Sequence, residues 1–156
     1  MTILPIALEN ELESCARLMS STEPWVTLGR TCEASREILR DLEKEVFVVR
    51  VDEELAGFII LNMHGAFAGY IQTICLAPQF RNRGLGTDVI SWAEKRIFER
   101  SPNVFMCVSS FNLGARRLYE RLGYQVVGAL TDYVVAGHDE FLLRKSLGSW
   151  SAFSRR

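Results

Sequence analysis

Apolar positions recur along the chain with two periods, and each period predicts a different kind of element. Spacings of three and four residues predict amphipathic helices from Glu9 to Ser20, from an N-cap at Thr31 to about Lys44, and from Leu85 to Phe98. A shorter helix is expected to begin after Asn112, a residue that favours N-cap positions, and to end at Gly123. The pattern therefore predicts four helices.

Between the helices lie short runs of β-branched and aromatic residues bounded by turns, which is typical of strands. Seven such runs are present: residues 2–6, 46–51, 55–63, 69–76, 104–109, 124–132 and 140–146. The fourth and fifth runs flank the third helix, as expected for a parallel strand–helix–strand crossover, whereas most other runs follow one another as antiparallel hairpins. This order predicts an α+β fold with a mixed, mostly antiparallel sheet.

Composition limits the classes of protein to which the chain can belong. Its 156 residues, 48% of them hydrophobic, fit one soluble domain over residues 1–147, followed by a serine-rich tail, 148–156, that we expect to be mobile. A net charge of −1 argues against bulk nucleic-acid binding. No apolar run reaches the ~18–20 residues of a membrane span, and no signal-peptide pattern opens the chain. The four cysteines and two histidines are widely spaced, so we expect no metal site and no disulfide, as in a cytoplasmic protein.

The most informative segment is the hexapeptide Arg81-Asn82-Arg83-Gly84-Leu85-Gly86, called the glycine loop below. It lies between a predicted strand and the start of the third helix, where backbone N–H groups lack intrahelical partners and the helix dipole is positive. Glycines let such a backbone approach an anion closely, because no Cβ intervenes. The segment therefore predicts a site for a phosphate or pyrophosphate, although a plain turn at a helix start remains an alternative.

Two familiar phosphate-binding patterns do not fit the glycine loop. A P-loop needs Lys and then Ser or Thr after its last glycine, but Thr87 and Asp88 follow Gly86. A dinucleotide-binding loop needs a third glycine, but Val89 occupies that position, and the strand at 104–109 carries no acidic residue for a ribose.

Two motifs in this order resemble those of the GNAT superfamily of acyl-CoA-dependent N-acetyltransferases. The first, R/Q-x-x-G-x-G/A, is the glycine loop, preceded by a strand and a proline turn at Pro78. The second, N-x-x-A-x-x-L-Y-x-x-L-G-Y, runs from Asn112 to Tyr124. The resemblance covers roughly residues 46–146. It implies a GNAT-like fold, in which flanking helices cover a mostly antiparallel seven-stranded sheet with a splayed central pair of parallel strands.

The resemblance also implies a cosubstrate, acetyl-CoA, with no metal, and the residues that would bind it. The glycine-loop amides would hold the pyrophosphate, a strand edge and Asn112 would contact the pantetheine arm, and Arg81 and Arg83 would add charge. Tyr119 would lie near the acetyl sulfur and donate a hydrogen bond or proton to the thiolate. The cofactor-binding positions implied are Ile74, Cys75, Leu76, Arg81, Asn82, Arg83, Gly84, Leu85, Gly86, Thr87 and Asn112.

By the same resemblance, the acetyl group would pass directly, in a ternary complex, to a primary amine of a small molecule, amino acid or peptide N-terminus. At neutral pH, deprotonating a lysine-type ammonium costs about 4–5 kcal/mol, whereas an α-amine costs only about 1 kcal/mol. The family's base is often a glutamate on one of the splayed strands, but neither strand carries a carboxylate here. A base must therefore be a water relay or one of five residues elsewhere: Glu23, Asp132, Tyr133, His138 and Glu140.

The missing strand carboxylate and the aromatic tail each leave open one alternative to an enzyme. One is a catalytically silent module that binds or senses acyl-CoA. The other is an interaction domain, in which Trp150 and Phe153 of the tail would dock on a second copy to give a homodimer.

Overall fold

The structure, a computed structural model, describes residues 1–153 of the chain. The strands are β1 (Thr2–Pro5), β2 (Glu45–Val51), β3 (Glu54–Asn62), β4 (Tyr70–Leu76), β5 (Asn103–Ser109), β6 (Gln125–Val135) and β7 (His138–Ser146). The helices are α1 (Glu9–Ser20), α2 (Cys32–Leu39), α3 (Leu85–Phe98) and α4 (Leu113–Arg121). None of the helices in this part of the chain is long and apolar enough to cross a membrane.

One seven-stranded sheet has the order β1-β2-β3-β4-β5-β7-β6. β4 and β5 are parallel, and the other neighbouring strands described are antiparallel. The parallel pair is joined through α3, as expected for the crossover. The predicted α+β fold with a mixed, GNAT-like sheet is confirmed.

Both faces of the sheet are covered, which explains the continuous apolar run of β3. Phe58 and Ile60 pack with α1 and α2 on one face, whereas Ile59 and Leu61 pack with α3 on the other. All four side chains are fully buried. Burial of each such side chain stabilises the folded state by about 1.5–3 kcal/mol. β3 therefore holds helices against both faces of the sheet.

Helix α2 is shorter than predicted, and its sequence offers a local reason. The helix ends at Leu39, and Leu42, expected on its apolar face, is 99% exposed. The side chain of Asp41 accepts a hydrogen bond from the backbone N–H of Glu43 at 3.0 Å and pairs with Lys44 at 3.0 Å. Such side-chain bonds to nearby backbone compete with helical hydrogen bonds, so the apolar spacing alone gave the wrong end.

The last hairpin is longer than predicted, since β6 continues to Val135 and β7 begins at His138. After it, Trp150–Ala152 form a single 3-10 turn. The ring of Phe153, just after the turn, lies 5.9 Å from that of Trp150. Residues 154–156 lie outside the described part of the chain. The single domain over residues 1–147, the mobility of the tail and the homodimer stay predictions.

Candidate active site

The central strands β4 and β5 part soon after they begin. They pair only at Tyr70 with Phe105 and at Ile71 with Met106 within the described residues. In the described part of the chain, the remainder of β4 has no partner on that side, so its backbone edge is available to hydrogen-bond a ligand. The opening between residues 72–76 and 107–109 is called the fork below.

A β-bulge at the base of the fork changes the direction of the β4 side chains. Leu61 of β3 lies opposite Ile71, but Ile60 lies opposite Thr73, so Gln72 is an extra residue. Ile71 consequently packs on the α3 face, whereas Cys75 packs among residues of α1 and α2. The bulge therefore turns Thr73 and Cys75 away from α3.

Two cavities meet at the fork. The loop cavity, about 600 Å³, lies beside the glycine loop and the start of α4. The fork cavity, about 420 Å³, lies among β4, β5, the hairpin β6–β7 and the segment between α1 and α2. Five residues line both cavities: Pro24, Trp25, Ile74, Asn112 and Tyr119. The two cavities are therefore neighbours along this shared wall.

The first turn of α3 has the features of an anion site. Its N-cap, Gly84, has φ 82°, which glycine adopts without strain. Within residues 1–153, no side chain caps the helix. α2 and α4, by contrast, are capped by Thr31, which accepts from the N–H of Ala34, and Asn112, which accepts from that of Ala115. The first N–H groups of α3 are thus left for a ligand.

Packing within the protein does not explain the second glycine of the loop. A Cβ added at Gly86 would lie 3.5 Å from Leu118 Cδ2, an ordinary contact. Because Gly86 also lines the loop cavity, the space that it leaves suits a ligand that approaches the backbone closely. The loop, the uncapped helix and the free β4 edge together fit a pyrophosphate-bearing cosubstrate with an amide-containing arm.

The loop cavity brings together most of the predicted cofactor-binding positions: Ile74, Leu76, Arg81, Asn82, Gly84, Gly86, Thr87 and Asn112. Cys75, Arg83 and Leu85 do not line it. Cys75 and Leu85 are buried in the core, and Arg83 is exposed. Arg81 Nε donates to the carbonyl oxygen of Leu76 at 2.8 Å, so this side chain fastens the loop to the end of β4.

Tyr119 lies at the junction of the two cavities. Burial raises the pKa of its phenol to about 12, so the hydroxyl stays protonated at neutral pH. Within residues 1–153 this hydroxyl makes no hydrogen bond. Its oxygen is not fully buried, so it can still reach a ligand or solvent. It therefore has a proton to donate and an open space into which to donate it.

The wall of the fork cavity holds a small group of titratable residues. Glu140 of β7 lies opposite Ser109 of β5, and the Ser109 hydroxyl donates to Glu140 Oε1 at 2.5 Å. The Glu140 side chain is buried, and this burial raises the pKa of its carboxyl. Burial also raises the pKa of Tyr70 and of the Cys107 thiol, which lie beside each other in the fork.

The five residues predicted as candidate bases differ in burial and in their position relative to the two cavities. Glu23 lines the loop cavity, where it accepts from the N–H of Thr27, and Asp132 binds the N–H of Gly137 in an exposed turn. His138 makes an edge-to-face contact with Phe111 and lines neither cavity, while Tyr133 lines the fork cavity but is 62% exposed. Glu140 alone among them is both buried and on the fork cavity wall.

Two cations of the fork cavity, Arg30 and Lys44, were not found from the sequence. Both lie at the ends of irregular segments that flank α2, where no motif marks them. Lys44 pairs with Asp41, whereas Arg30 has no side-chain hydrogen bond or ion pair within residues 1–153. The sequence gives no signal for either, because their place depends on how α2 packs.

Comparison of the sequence with known proteins agrees with this geometry. Residues 7–124 match the profile of the family described as Acetyltransferase (GNAT) family. An N-alpha-acetyltransferase of Sulfurisphaera tokodaii is 28% identical over 124 residues, covering 71% of this chain and 74% of that protein. N-alpha-acetyltransferase RimI of Mycobacterium tuberculosis is 27% identical over 158 aligned positions, covering 84% of this chain and 98% of that protein.

Solved structures show the same fold at lower identity. An aminoglycoside 6'-N-acetyltransferase complexed with coenzyme A aligns with a TM-score of 0.76 and 15% identity, covering 96% of this chain and 98% of that one. A variant of spermidine N-acetyltransferase SpeG from Vibrio cholerae aligns with a TM-score of 0.72 and 18% identity, covering 93% and 92%. These likenesses establish the fold and not the acceptor.

Proposed function

The chain belongs to the acetyltransferase (GNAT) family and is an acetyl-CoA-dependent acetyltransferase, and on that premise we propose that it acetylates an α-amine by direct transfer. The observation that supports direct transfer is the junction of the two cavities at Ile74 and Tyr119. A donor in the loop cavity and an amine in the fork cavity would meet there, with no covalent enzyme intermediate.

The charges of the fork cavity support an α-amine rather than a polycation. Its described wall has two cations, Arg30 and Lys44, of which Lys44 pairs with Asp41, and one carboxylate, Glu140. A polyamine or aminoglycoside carries several positive charges and would meet like charges, each costing about 1 kcal/mol or more at ~4 Å. An α-amine brings one charge and loses it at a cost of only about 1 kcal/mol at neutral pH. The relatives named N-alpha-acetyltransferases favour the same class.

The residues of this chain have separable tasks in the proposed reaction. Acetyl-CoA, when bound, supplies the acetyl thioester. The first turn of α3 binds and neutralises the pyrophosphate, and the free edge of β4 orients the arm toward the fork. Tyr119 then donates its proton toward the sulfur as negative charge develops there. Trp25 and Tyr133 flank the fork cavity and help to exclude water from the amine.

Peptides with one kind of amine each test this proposal. We expect release of CoA thiol and a one-acetyl mass gain with a peptide whose N-terminus is free and which lacks lysine. The same sequence with a blocked N-terminus and one lysine should be acetylated much more slowly, and spermidine should be a poor acceptor. A clear preference for spermidine or the lysine peptide would contradict the proposed acceptor class.

A second function, a silent acyl-CoA-binding module, is favoured by one observation: neither strand of the fork carries a carboxylate. Calorimetry separates the two functions. Tight acetyl-CoA binding without thiol release, across α-amines, lysine peptides and polyamines, would support the silent module and exclude the enzyme.

A further inference from the structure

The wall of the fork cavity holds a carboxylate that the fork strands themselves lack. Antiparallel pairing of β5 with β7 places Glu140 directly opposite Ser109, at the end of β5 where the fork is open. Only 5% of the Glu140 residue is exposed, and it lines the fork cavity. A buried carboxylate in this position is costly unless partners or a function compensate for it.

The protein itself compensates Glu140 only in part. The Ser109 hydroxyl donates to Oε1 at 2.5 Å, whereas Oε2 receives no hydrogen bond within residues 1–153. No ion pair in that part of the chain includes Glu140, and Lys44 of the same cavity pairs with Asp41 at 3.0 Å. One carboxyl oxygen is therefore held in place and the other is left for a further partner.

We propose that Glu140 is the catalytic base, whose Oε2 takes a proton from the acceptor ammonium in the fork cavity. This inference rests on the proposed function. The ammonium loses one proton to Oε2, and the freed lone pair forms the new N–C bond to the acetyl carbon while the C–S bond breaks. Tyr119 supplies the proton that the leaving sulfur takes. The amide nitrogen sheds its second proton, which restores Tyr119 through solvent, and Glu140 returns its own proton to water.

Polar and charged groups from several elements share the cavity with Glu140. They are Ser109 and Cys107 from β5, Tyr70 from β4 and Tyr133 from β6, with the cations Arg30 and Lys44 in the same cavity. Burial raises the pKa of Tyr70 and of Cys107, so neither group ionises near neutral pH. Burial also raises the pKa of Glu140, which brings it closer to the ~8 of an α-amine and makes proton transfer less uphill.

The test compares wild type with Glu140→Gln, which keeps the size and an acceptor oxygen for Ser109 but cannot take a proton. We expect kcat/KM for the α-amine peptide at pH 7 to fall about 100-fold, the low end for a general base. The affinity for acetyl-CoA should not change. Glu99→Gln, an exposed glutamate at the end of α3, is the matched control and should behave as wild type.

The pH profile distinguishes a base from a structural residue. The deficit of Glu140→Gln should shrink about tenfold between pH 7 and pH 9, because an α-amine of pKa ~8 is then mostly neutral without help. It should also shrink with an acceptor amine of low pKa. A deficit that stays constant with pH and acceptor, or kcat/KM within about twofold of wild type, would overturn the assignment.

A thermal melt shows whether each variant folds, and Glu140→Asp provides a second variant. It keeps a carboxylate one methylene further back and should recover part of the lost rate, with the wild-type shape of the pH profile. Glu140→Asp no better than Glu140→Gln, with both folded, would count against a base at this position. Wild type inactive on every amine would instead refute the proposed function itself, so the two failures are distinguishable.

Discussion

The two cavities are built from different parts of the polypeptide. The loop cavity offers mainly backbone: the N-terminal turn of α3 and the open edge of β4. The fork cavity offers side chains from distant segments, among them Trp25, Tyr70, Ser109 and Glu140. Backbone recognition requires little more than glycines and an uncapped helix, so one short motif can encode it. Side-chain recognition depends on how the strands pair, and it can change while the fold is kept.

The helix starts show the same division on a smaller scale. Asn112 caps α4 with its side chain at 3.3 Å, and Thr31 caps α2 in the same way at 3.1 Å. Among the residues that the structure describes, no side chain caps the start of α3, which the glycine loop precedes. α3 therefore gives up stability that the other two helices gain, and its N–H groups remain available for an anion.

Gly86→Asp is the strongest test of a backbone-built site. A carboxylate in the first turn suits the helix dipole, so the melting temperature should be unchanged or higher. For an assumed separation of about 5 Å from a bound pyrophosphate, the added charge would cost about 3 kcal/mol at an effective dielectric of about 20. This corresponds to a loss of at least about 100-fold in acetyl-CoA affinity by calorimetry.

Gly86→Ala is the matched control, because its Cβ makes only an ordinary contact with Leu118. Its acetyl-CoA affinity should fall by less than that of Gly86→Asp, because the added Cβ takes some of the space beside the backbone but brings no charge. If Gly86→Asp bound acetyl-CoA as well as Gly86→Ala does, the pyrophosphate would not lie at the start of α3.

Tyr119→Phe tests the junction of the cavities. We expect kcat to fall about 10- to 100-fold while acetyl-CoA affinity stays the same, because a thiolate is a fair leaving group that needs only partial help. Burial raises the pKa of Tyr119 to about 12, and the protonated phenol is the active form. The ratio of wild-type to variant kcat should therefore stay constant from pH 7 to about pH 10. An equal kcat, or a ratio that falls across this range, would remove Tyr119 from proton donation.

Much of the fold and of the loop cavity could be predicted from the sequence because their signals are local. The bounds of α1 and α3 follow from apolar spacing, and the glycine loop is contiguous. The end of α2 could not be predicted from that spacing, because the bond of Asp41 to its own neighbourhood decides it. The splay of β4 and β5 was expected only from the family resemblance.

The acceptor side could be predicted only as a set of candidates. Glu140 was one of five possible bases, and nothing in its neighbours along the chain distinguishes it. Its place on the cavity wall comes from the pairing of β5 and β7, which joins Ser109 to a residue 31 positions away. The position of Arg30 on the wall of the fork cavity likewise depends on packing around α2. Such long-range register has no counterpart in the spacing of apolar residues.

Two substitutions at N-cap residues distinguish stabilisation of a helix from binding of a ligand in a cavity. Asn112→Ala and Thr31→Ala each remove one side-chain cap, so each should lower the free energy of unfolding by about 1 kcal/mol in denaturant titrations. Only Asn112 also lines both cavities, so Asn112→Ala alone should weaken acetyl-CoA binding, by about fivefold for one lost hydrogen bond. Equal affinities in the two variants, at equal loss of stability, would mean that Asn112 acts as a cap and nothing more. The loop cavity would then be a site made by backbone alone.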